Sequence, residues 1–145
     1  MSAEPLSIES HSISLAAARA LVEAACAAAA ELEAHVTAAV TDTAGHLRAF
    51  GRMDHAALLS AEVAQDKAWT AAAFGLPTHA WPDILQNPAL AQLAHRPRLL
   101  AVPGGYPVLL RGQMIGGLGI SGGRGAQDGQ IAVAALSAVG FDLPA

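Results

Sequence analysis

The chain has 145 residues, the usual size of one domain, and its composition limits the classes of protein it can be. Hydrophobic residues make up 53% of the sequence and charged residues only 14%, which favours subunit contacts over a charged monomer surface. The net charge is −4 and there is no basic run, so nucleic acid is not an expected partner. No apolar run is long enough to span a bilayer, and the acidic N-terminus lacks the basic start of a signal peptide. We therefore expect a cytoplasmic protein without a membrane partner.

A single domain over residues 1–145 is predicted, with a polar and frayed start at Met1–His11. Ser12 or Ser14 can cap a first helix that runs to about Ala34, because apolar residues recur there at helical spacing. The single cysteine, Cys26, lies among the alanines of this helix and is expected to be an inert core residue.

A hairpin and a second helix follow. Val36–Thr41 and His46–Met53 have strand patterns, and Asp42–Gly45 supplies the turn chemistry between them. Leu59–Phe74 is predicted as a helix that stops at Gly75. The two strands should therefore pair directly with each other in an antiparallel sheet.

The second half of the chain is predicted to add three strands and a last helix. The predicted elements are a short helix over Pro77–Leu85, another from Asn87–Pro88 through Leu93, strands over Arg98–Val102, Tyr106–Leu110 and Gln113–Ile120, and a helix over Gln127–Val139. Hairpin connections dominate this order. The predicted fold class is therefore α+β, with a central antiparallel sheet of about five strands and helices packed on it.

Two glycines stand on one face of the last predicted strand. Gly117 and Gly119 are two positions apart, so both point to the same side together with Ile115 and Ser121. Glycine inside a strand marks a close approach by another backbone or by a ligand. A closely packed helix and a smooth floor for a flat ligand both remain open. After Ser121, the following glycines can leave N–H groups free for an anion at the start of the last helix.

The second helix carries a lysine within its apolar stripe. Lys67 follows Val63 and precedes Thr70 at helical spacing, so its stem should be covered. The ammonium then either reaches water along its neighbours or needs an acidic partner or an anionic ligand, because an unpaired buried charge is costly. The candidate acidic partners are Asp54, Glu62 and Asp128.

The sequence lacks the standard catalytic and metal motifs. There is no paired Cys-x-x-Cys, no His-Glu-x-x-His and no Walker loop. Of the six histidines, His55 is the one that stands beside a carboxylate, Asp54, in the loop before the lysine helix. A histidine in that position can act as a general base or as a metal ligand.

Several short motifs, taken in order, resemble a known family. The sequence contains VTDxxGHL at 40–47, RMD at 52–54, KAWTA at 67–71, FGxPT at 74–78, PGGxP at 103–107, GxxxGGxGxSGG at 112–123, and Gln127-Asp128. This series resembles the GlcG/HbpS-like haem-binding family, which also supplies the C-terminal domain of PduO-type cobalamin adenosyltransferases. The similarity covers nearly the whole chain. No single motif is specific, but their order and spacing together are.

The resemblance implies a fold, an assembly and a class of ligand. It implies a profilin-like fold with helices on both faces of the antiparallel sheet, and even-numbered homo-oligomers. Family members are associated with haem or corrinoid binding, so haem is the cofactor that the resemblance implies. The chain departs from the family at His55, where the usual residue is glycine, and over Asn87–Arg98. The first departure adds a titratable side chain at the expected pocket.

Two hypotheses about function follow from these residues. The first is a small-ligand-binding protein that holds haem, a related tetrapyrrole or an anionic ligand in a pocket near a subunit interface. The alternative is an enzyme that moves a proton on a small organic acid or ketone with His55 or Asp54, while Lys67 or Arg52 holds the anion. A third interpretation is an assembly subunit with a vestigial pocket. The predicted ligand-binding residues are Arg52, Thr70, Gly104, Gly105, Gly119, Ser121, Gly122 and Asp128, and His55 is also the candidate metal ligand.

Overall fold

The structure, a computed structural model, describes residues 3–144 as four α-helices around one antiparallel sheet. In chain order the elements are α1 (Leu15–Glu31), β1 (Thr37–Asp42), β2 (Leu47–Arg52), α2 (Leu58–Phe74), a 3₁₀ turn at Thr78–Ala80, α3 (Trp81–Leu85), a 3₁₀ segment at Ala91–His95, β3 (Gly105–Leu110), β4 (Gln113–Ser121) and α4 (Ala126–Val139). The α+β class and the antiparallel sheet are confirmed. The sheet has four strands in the order β2-β1-β4-β3, not about five.

Helices cover both faces of this sheet. Helix α2 lies against β4, β1 and β3 on one face, while α1 and α4 pack against each other and the sheet on the opposite face. The main apolar core lies on the α1/α4 face and includes Leu21, Leu118, Ile120, Ile131 and Leu136. No helix within residues 3–144 is both long enough and apolar enough to cross a membrane.

The predicted strand at Arg98–Val102 is wrong. This segment joins no strand ladder, and Arg98 has a φ of +74°. Its backbone is satisfied by side chains: Thr70 Oγ1 donates to the Arg98 carbonyl and accepts from the Leu100 amide. Thr78 Oγ1 likewise donates to the Val102 carbonyl. Side-chain partners thus replace the missing strand partner.

A bulge in β4 changes which side chains share a face. Val108 pairs with Gly116 and Leu109 with Met114, so Ile115 has no partner on β3. Ile115 joins the apolar core of the α1/α4 face, whereas Gly117 faces α2. The expectation that Ile115 and Gly117 point the same way is therefore wrong, because one extra residue reverses the alternation.

The other elements lie where they were expected except after Asn87, although α1 ends at Glu31 and not near Ala34. Ser14 caps α1 by accepting a hydrogen bond from the Ala17 amide, and Gly75 ends α2 in the left-handed region. No helix begins at Pro88. The Asn87 side chain instead accepts from the Ala89 amide and closes a local turn. The segment Met1–His11 was predicted to fray, and residues 3–11 form no helix or strand. Met1 and Ser2 lie outside the described residues.

Candidate ligand-binding site

The lysine of α2 is buried and paired. Lys67 is 1% exposed, and its ammonium donates to the Ile120 carbonyl at 2.8 Å and to Asp128 Oδ2 at 3.1 Å. Of the three carboxylates proposed as its partner, Asp128 is the one that meets it. Burial lowers the pKa of Lys67, and the charge of Asp128 opposes that shift in part.

The glycines after Pro103 make room for this lysine. A Cβ at Gly104 would lie 2.5 Å from the Ile120 carbonyl oxygen and 2.9 Å from the Lys67 ammonium. A Cβ at Gly105 would lie 2.6 Å from the Lys67 carbonyl oxygen. Gly104 is therefore packed against the β4 backbone and the Lys67–Asp128 pair, and Gly105 against the backbone of α2.

The glycines of β4 have the same role. A Cβ at Gly119 would overlap the Ala64 carbonyl oxygen of α2, and one at Gly117 would overlap the Ala68 carbonyl oxygen. Of the two interpretations left open by the sequence, the closely packed helix is the one observed. No space remains on this face for a flat ligand.

Asp128 connects the lysine to the glycine turn before α4. Its Oδ2 accepts from Lys67, and its Oδ1 accepts from the Gly123 amide at 2.8 Å. Asp128 also lies in the first turn of α4, where a negative charge is favourable. The Gly123 N–H expected to attract a ligand anion is thus already bound by an acidic side chain of the protein.

His55 lines an open cleft of about 490 Å³ next to a second histidine. The imidazole centres of His35 and His55 are 5.7 Å apart and the rings meet edge to face, at 78°. Gly122, Gly123 and Arg124 form the opposite wall. His55 has a φ of +69°, a conformation that favours glycine. This explains why glycine is the usual residue at this position in the family that the sequence resembles.

The loop that presents His55 is held by an arginine. Arg52 donates from its guanidinium to the Ala56 carbonyl at 2.8 Å, so it braces the loop internally. Asp54 is exposed to solvent. The side chain of Ser121 is largely buried at the end of β4.

The structure does not bring the predicted site residues into one pocket. His55 and Gly122 share the cleft, while Lys67 and Asp128 form a buried pair behind the glycine turn. Thr70 lies elsewhere and holds the Arg98 segment. Lys67 does not line the His55 cleft. That the two residues act together on one substrate stays a prediction.

A second and larger cavity, of about 760 Å³, lies between α4 and the edge strand β3. Its wall consists of His79, Pro103, Tyr106, Ala126, Gly129, Gln130, Val133, Ala134, Ser137 and Leu143. The sequence reasoning missed this site because its residues come from distant segments. One signal was present. The α4 residues of this wall, between Ala126 and Ser137, recur at helical spacing and form a second face of small or weakly polar side chains beside the buried apolar face.

Two rings form one end of this cavity. The imidazole of His79 meets the phenol ring of Tyr106 edge to face, with centres 5.7 Å apart. His79 is exposed at the rim, whereas Tyr106 is 8% exposed and burial raises the pKa of its phenol. The phenol therefore stays neutral and can donate a hydrogen bond at neutral pH. No lysine or arginine lines the cavity within residues 3–144.

Comparison with known proteins places the chain in a family. A family model described as "Haem degrading protein HbpS-like" matches residues 13–137. The chain belongs to this HbpS-like family. It is similar to an uncharacterized 15.0 kDa protein of Citrobacter freundii encoded in the dhaT-dhaS intergenic region, with 37% identity over 86% of this chain and 89% of the relative.

Two further relatives carry names that mention a tetrapyrrole or a corrinoid. The chain is similar to the corrinoid adenosyltransferase PduO of Salmonella typhimurium, with 39% identity over 82% of the chain, but spans only 36% of that relative. Its fold matches a crystal structure described as a PduOC:heme complex, with a TM-score of 0.83 and 33% identity over 92% of this chain and 99% of that chain. The resemblance inferred from the motifs is confirmed.

Proposed function

We propose that this protein binds haem or a related tetrapyrrole in the cavity between α4 and β3, with His79 as the axial ligand. One observation carries the proposal: a single imidazole stands at the rim of an otherwise mainly apolar cavity of about 760 Å³. Cavities of this size suit small molecules and cofactors. Family membership and the haem complex of a related fold support the same class of ligand.

The residues of the cavity fit such a group. Pro103, Val133, Ala134 and Leu143 offer apolar surface to a macrocycle. His79 would supply the nitrogen that iron accepts, and the ring of Tyr106 lies beside that imidazole. Because the described wall has no cation, the carboxylates of the ligand should face solvent. When bound, the haem supplies a redox-active iron.

Hemin titration of the purified apo-protein tests this proposal. We expect a sharp Soret band that saturates at one haem per chain. His79→Ala should weaken binding by at least tenfold and shift the band, because the axial nitrogen is lost. His95→Ala removes another exposed histidine, outside the cavity wall, and serves as the matched control. Saturable binding that is unchanged in His79→Ala would disprove the site, and its absence from the wild type would disprove the function.

We also propose that the protein assembles into even-numbered homo-oligomers. Leu58, Leu59 and Phe74 on α2 are 86%, 68% and 66% exposed, and Phe50 on the edge strand β2 is 42% exposed. Exposed apolar side chains of this size are candidates for contact with another subunit. Light scattering at micromolar concentration should give the mass of a multimer. The mass of a single chain would contradict the proposal.

A further inference from the structure

We propose that His35 and His55 together bind one divalent transition-metal ion at the cleft between the start of β1 and the glycine turn before α4. This site is separate from the cavity that holds His79, and it does not rest on the haem proposal. The ion would be one that prefers imidazole nitrogen, such as Ni²⁺, Cu²⁺ or Zn²⁺. Mg²⁺ and Ca²⁺ prefer oxygen and should not bind.

The distance between the two rings suits a shared ion. Metal–nitrogen distances of about 2.0–2.1 Å place an ion roughly 3 Å from the centre of each imidazole that binds it. Two rings can then share an ion at centre-to-centre distances of up to roughly 6 Å, and His35 and His55 are 5.7 Å apart. The rings already meet edge to face, so no slot remains between them for a tetrapyrrole. Both side chains are exposed, so rotation about their Cβ–Cγ bonds can turn one nitrogen of each ring toward a shared ion in the cleft.

The sheet holds both histidines in place. Thr37 of β1 is paired with Arg52 of β2, so the residues before Thr37 lie beside the residues after Arg52. The pairing continues beyond the ladder, because the Met53 amide donates to the Val36 carbonyl at 2.9 Å. His35 immediately precedes Val36, and His55 follows Met53 by two residues, in the turn after β2. The backbone hydrogen bonds of the sheet therefore keep the two segments that carry the histidines side by side.

His55 occupies a backbone conformation that disfavours most side chains. Its φ of +69° lies in the left-handed region, where glycine is the default residue. A side chain other than glycine there carries a small conformational cost, and such positions concentrate at functional sites. The residue at this position is an imidazole that lies against a second imidazole in the wall of an open cleft.

The charge around the cleft is close to balanced. Glu33 and Arg124 both line it, so the cleft carries one acidic and one basic side chain besides the imidazoles. Within the described residues, no group of three or more His, Cys, Asp or Glu side chains is arranged around one point. The ion therefore has two protein ligands, and water or a chelating anion completes its coordination.

Calorimetric titration of the untagged 145-residue protein with NiCl2, and separately with MgCl2, tests the site. We expect one Ni²⁺ per chain and no heat of binding for Mg²⁺. His35→Ala and His55→Gly should each lower the Ni²⁺ affinity at least tenfold. His55→Gly is the sharper variant, because glycine is the natural residue for this φ and the fold should survive. His46→Ala is the matched control, since His46 is exposed and also lies near a carboxylate, 3.7 Å from Asp42.

The outcomes separate this site from the haem cavity. Loss of Ni²⁺ binding in both cleft variants, with binding retained in His46→Ala and His79→Ala, supports the proposal. Wild-type affinity in either cleft variant overturns it, as does equal loss in His46→Ala. Electron paramagnetic resonance of a one-to-one Cu²⁺ complex should show two imidazole nitrogens, and one nitrogen or none would also overturn it. His55→Gly should still take up hemin, so failure of one site is distinguishable from failure of the other.

Discussion

The two faces of the sheet are built on opposite packing rules. On the α2 face, glycines of β4 lie directly under helical carbonyl groups, and the buried polar residues Thr37, Ser60 and Lys67 bond across the contact. On the α1/α4 face, the core consists of full-sized apolar side chains such as Leu118 and Ile131.

This difference predicts different responses to substitution. The α2 face has no volume to spare, so it should be intolerant of added atoms and of broken polar pairs. The α1/α4 face gains its stability from buried apolar area, so it should be sensitive to removed atoms. Adjacent residues of β4 point to the two faces in turn, which allows the contrast to be tested on one strand.

The largest effect is expected from Gly119→Val on the α2 face. Even a Cβ at this position would overlap the Ala64 carbonyl oxygen, and a backbone carbonyl cannot rotate away as a side chain can. Overpacking in cores costs typically about 1–3 kcal/mol, and contact with a helix backbone should exceed that range. We expect no cooperative unfolding transition for Gly119→Val in circular dichroism melts.

Gly129→Ala is the matched control for a glycine that is not crowded. Gly129 lies within α4, and a Cβ there would sit 3.4 Å from the Tyr106 hydroxyl, an ordinary contact. Alanine is favoured over glycine in helices by about 0.8–1.0 kcal/mol, so this variant should be as stable as the wild type or more stable. If Gly119→Val melts like the wild type, the description of the α2 face is wrong.

Lys67→Met should give the next largest effect. The substitution leaves the Asp128 carboxylate buried without its cation, and breaking a buried pair in this way costs about 3–5 kcal/mol. Adding Asp128→Asn should recover much of the loss, because the side chain keeps an oxygen that can accept from Gly123. Urea denaturation of both single variants and the double variant measures the coupling. Additive losses would show that the pair contributes no net interaction.

The pH dependence of the same pair has a defined sign. Because burial lowers the pKa of Lys67 below its ordinary value of 10.5, the folded protein binds fewer protons there than the unfolded chain as pH approaches that value. The contribution of Lys67 to stability therefore rises with pH within this window. The wild type should gain stability relative to Lys67→Met as the pH rises toward 10.5. The raised pKa of Tyr106 is common to both proteins, so its contribution cancels in the difference between them. If the difference in free energy of unfolding between the wild type and Lys67→Met shrinks as the pH rises, the lowered pKa of Lys67 is contradicted.

On the opposite face, Leu118→Ala should destabilise the protein by about 2–5 kcal/mol through lost burial and the remaining cavity. Leu118 is fully buried and next to Gly119 in sequence. Leu118→Met keeps most of the volume and should cost less than about 1.5 kcal/mol. Thermal melts of the two variants measure the difference. Equal losses would show that volume is not what this face requires.

The sequence predicted the regular elements well and the loops poorly. Apolar periodicity located α1, α2 and α4, and turn residues located both hairpins. The expected strand at Arg98–Val102 failed because threonine hydroxyls, not a neighbouring strand, satisfy its backbone. Ile115 was placed on the wrong face because a bulge leaves no reliable mark in one sequence.

The site was predicted only in fragments for a related reason. The conflict at Lys67 showed that a charge would need a partner, but three carboxylates qualified and only the fold selects Asp128. His55 was singled out as a site residue, and it lines an open cleft. Its neighbour there, His35, is 20 positions earlier along the chain, and no local pattern joins the two. The cavity beside His79 combines four stretches of the chain, and the PGGxP motif at 103–107 marked only one of them.

The smallest effect is expected from His55→Gly, which separates backbone strain from function. Relief of the left-handed conformation favours the substitution by roughly 1–2 kcal/mol, whereas the greater freedom of glycine in the unfolded chain opposes it by roughly 0.5–1 kcal/mol. The net gain should therefore be about 1 kcal/mol or less. Arg111→Gly provides a matched comparison, because Arg111 has a φ of +51° in the exposed β3–β4 turn. Both variants should melt slightly above the wild type. If only Arg111→Gly gains stability, the His55 side chain makes a compensating contact in the cleft, and its imidazole is then fixed for a structural reason.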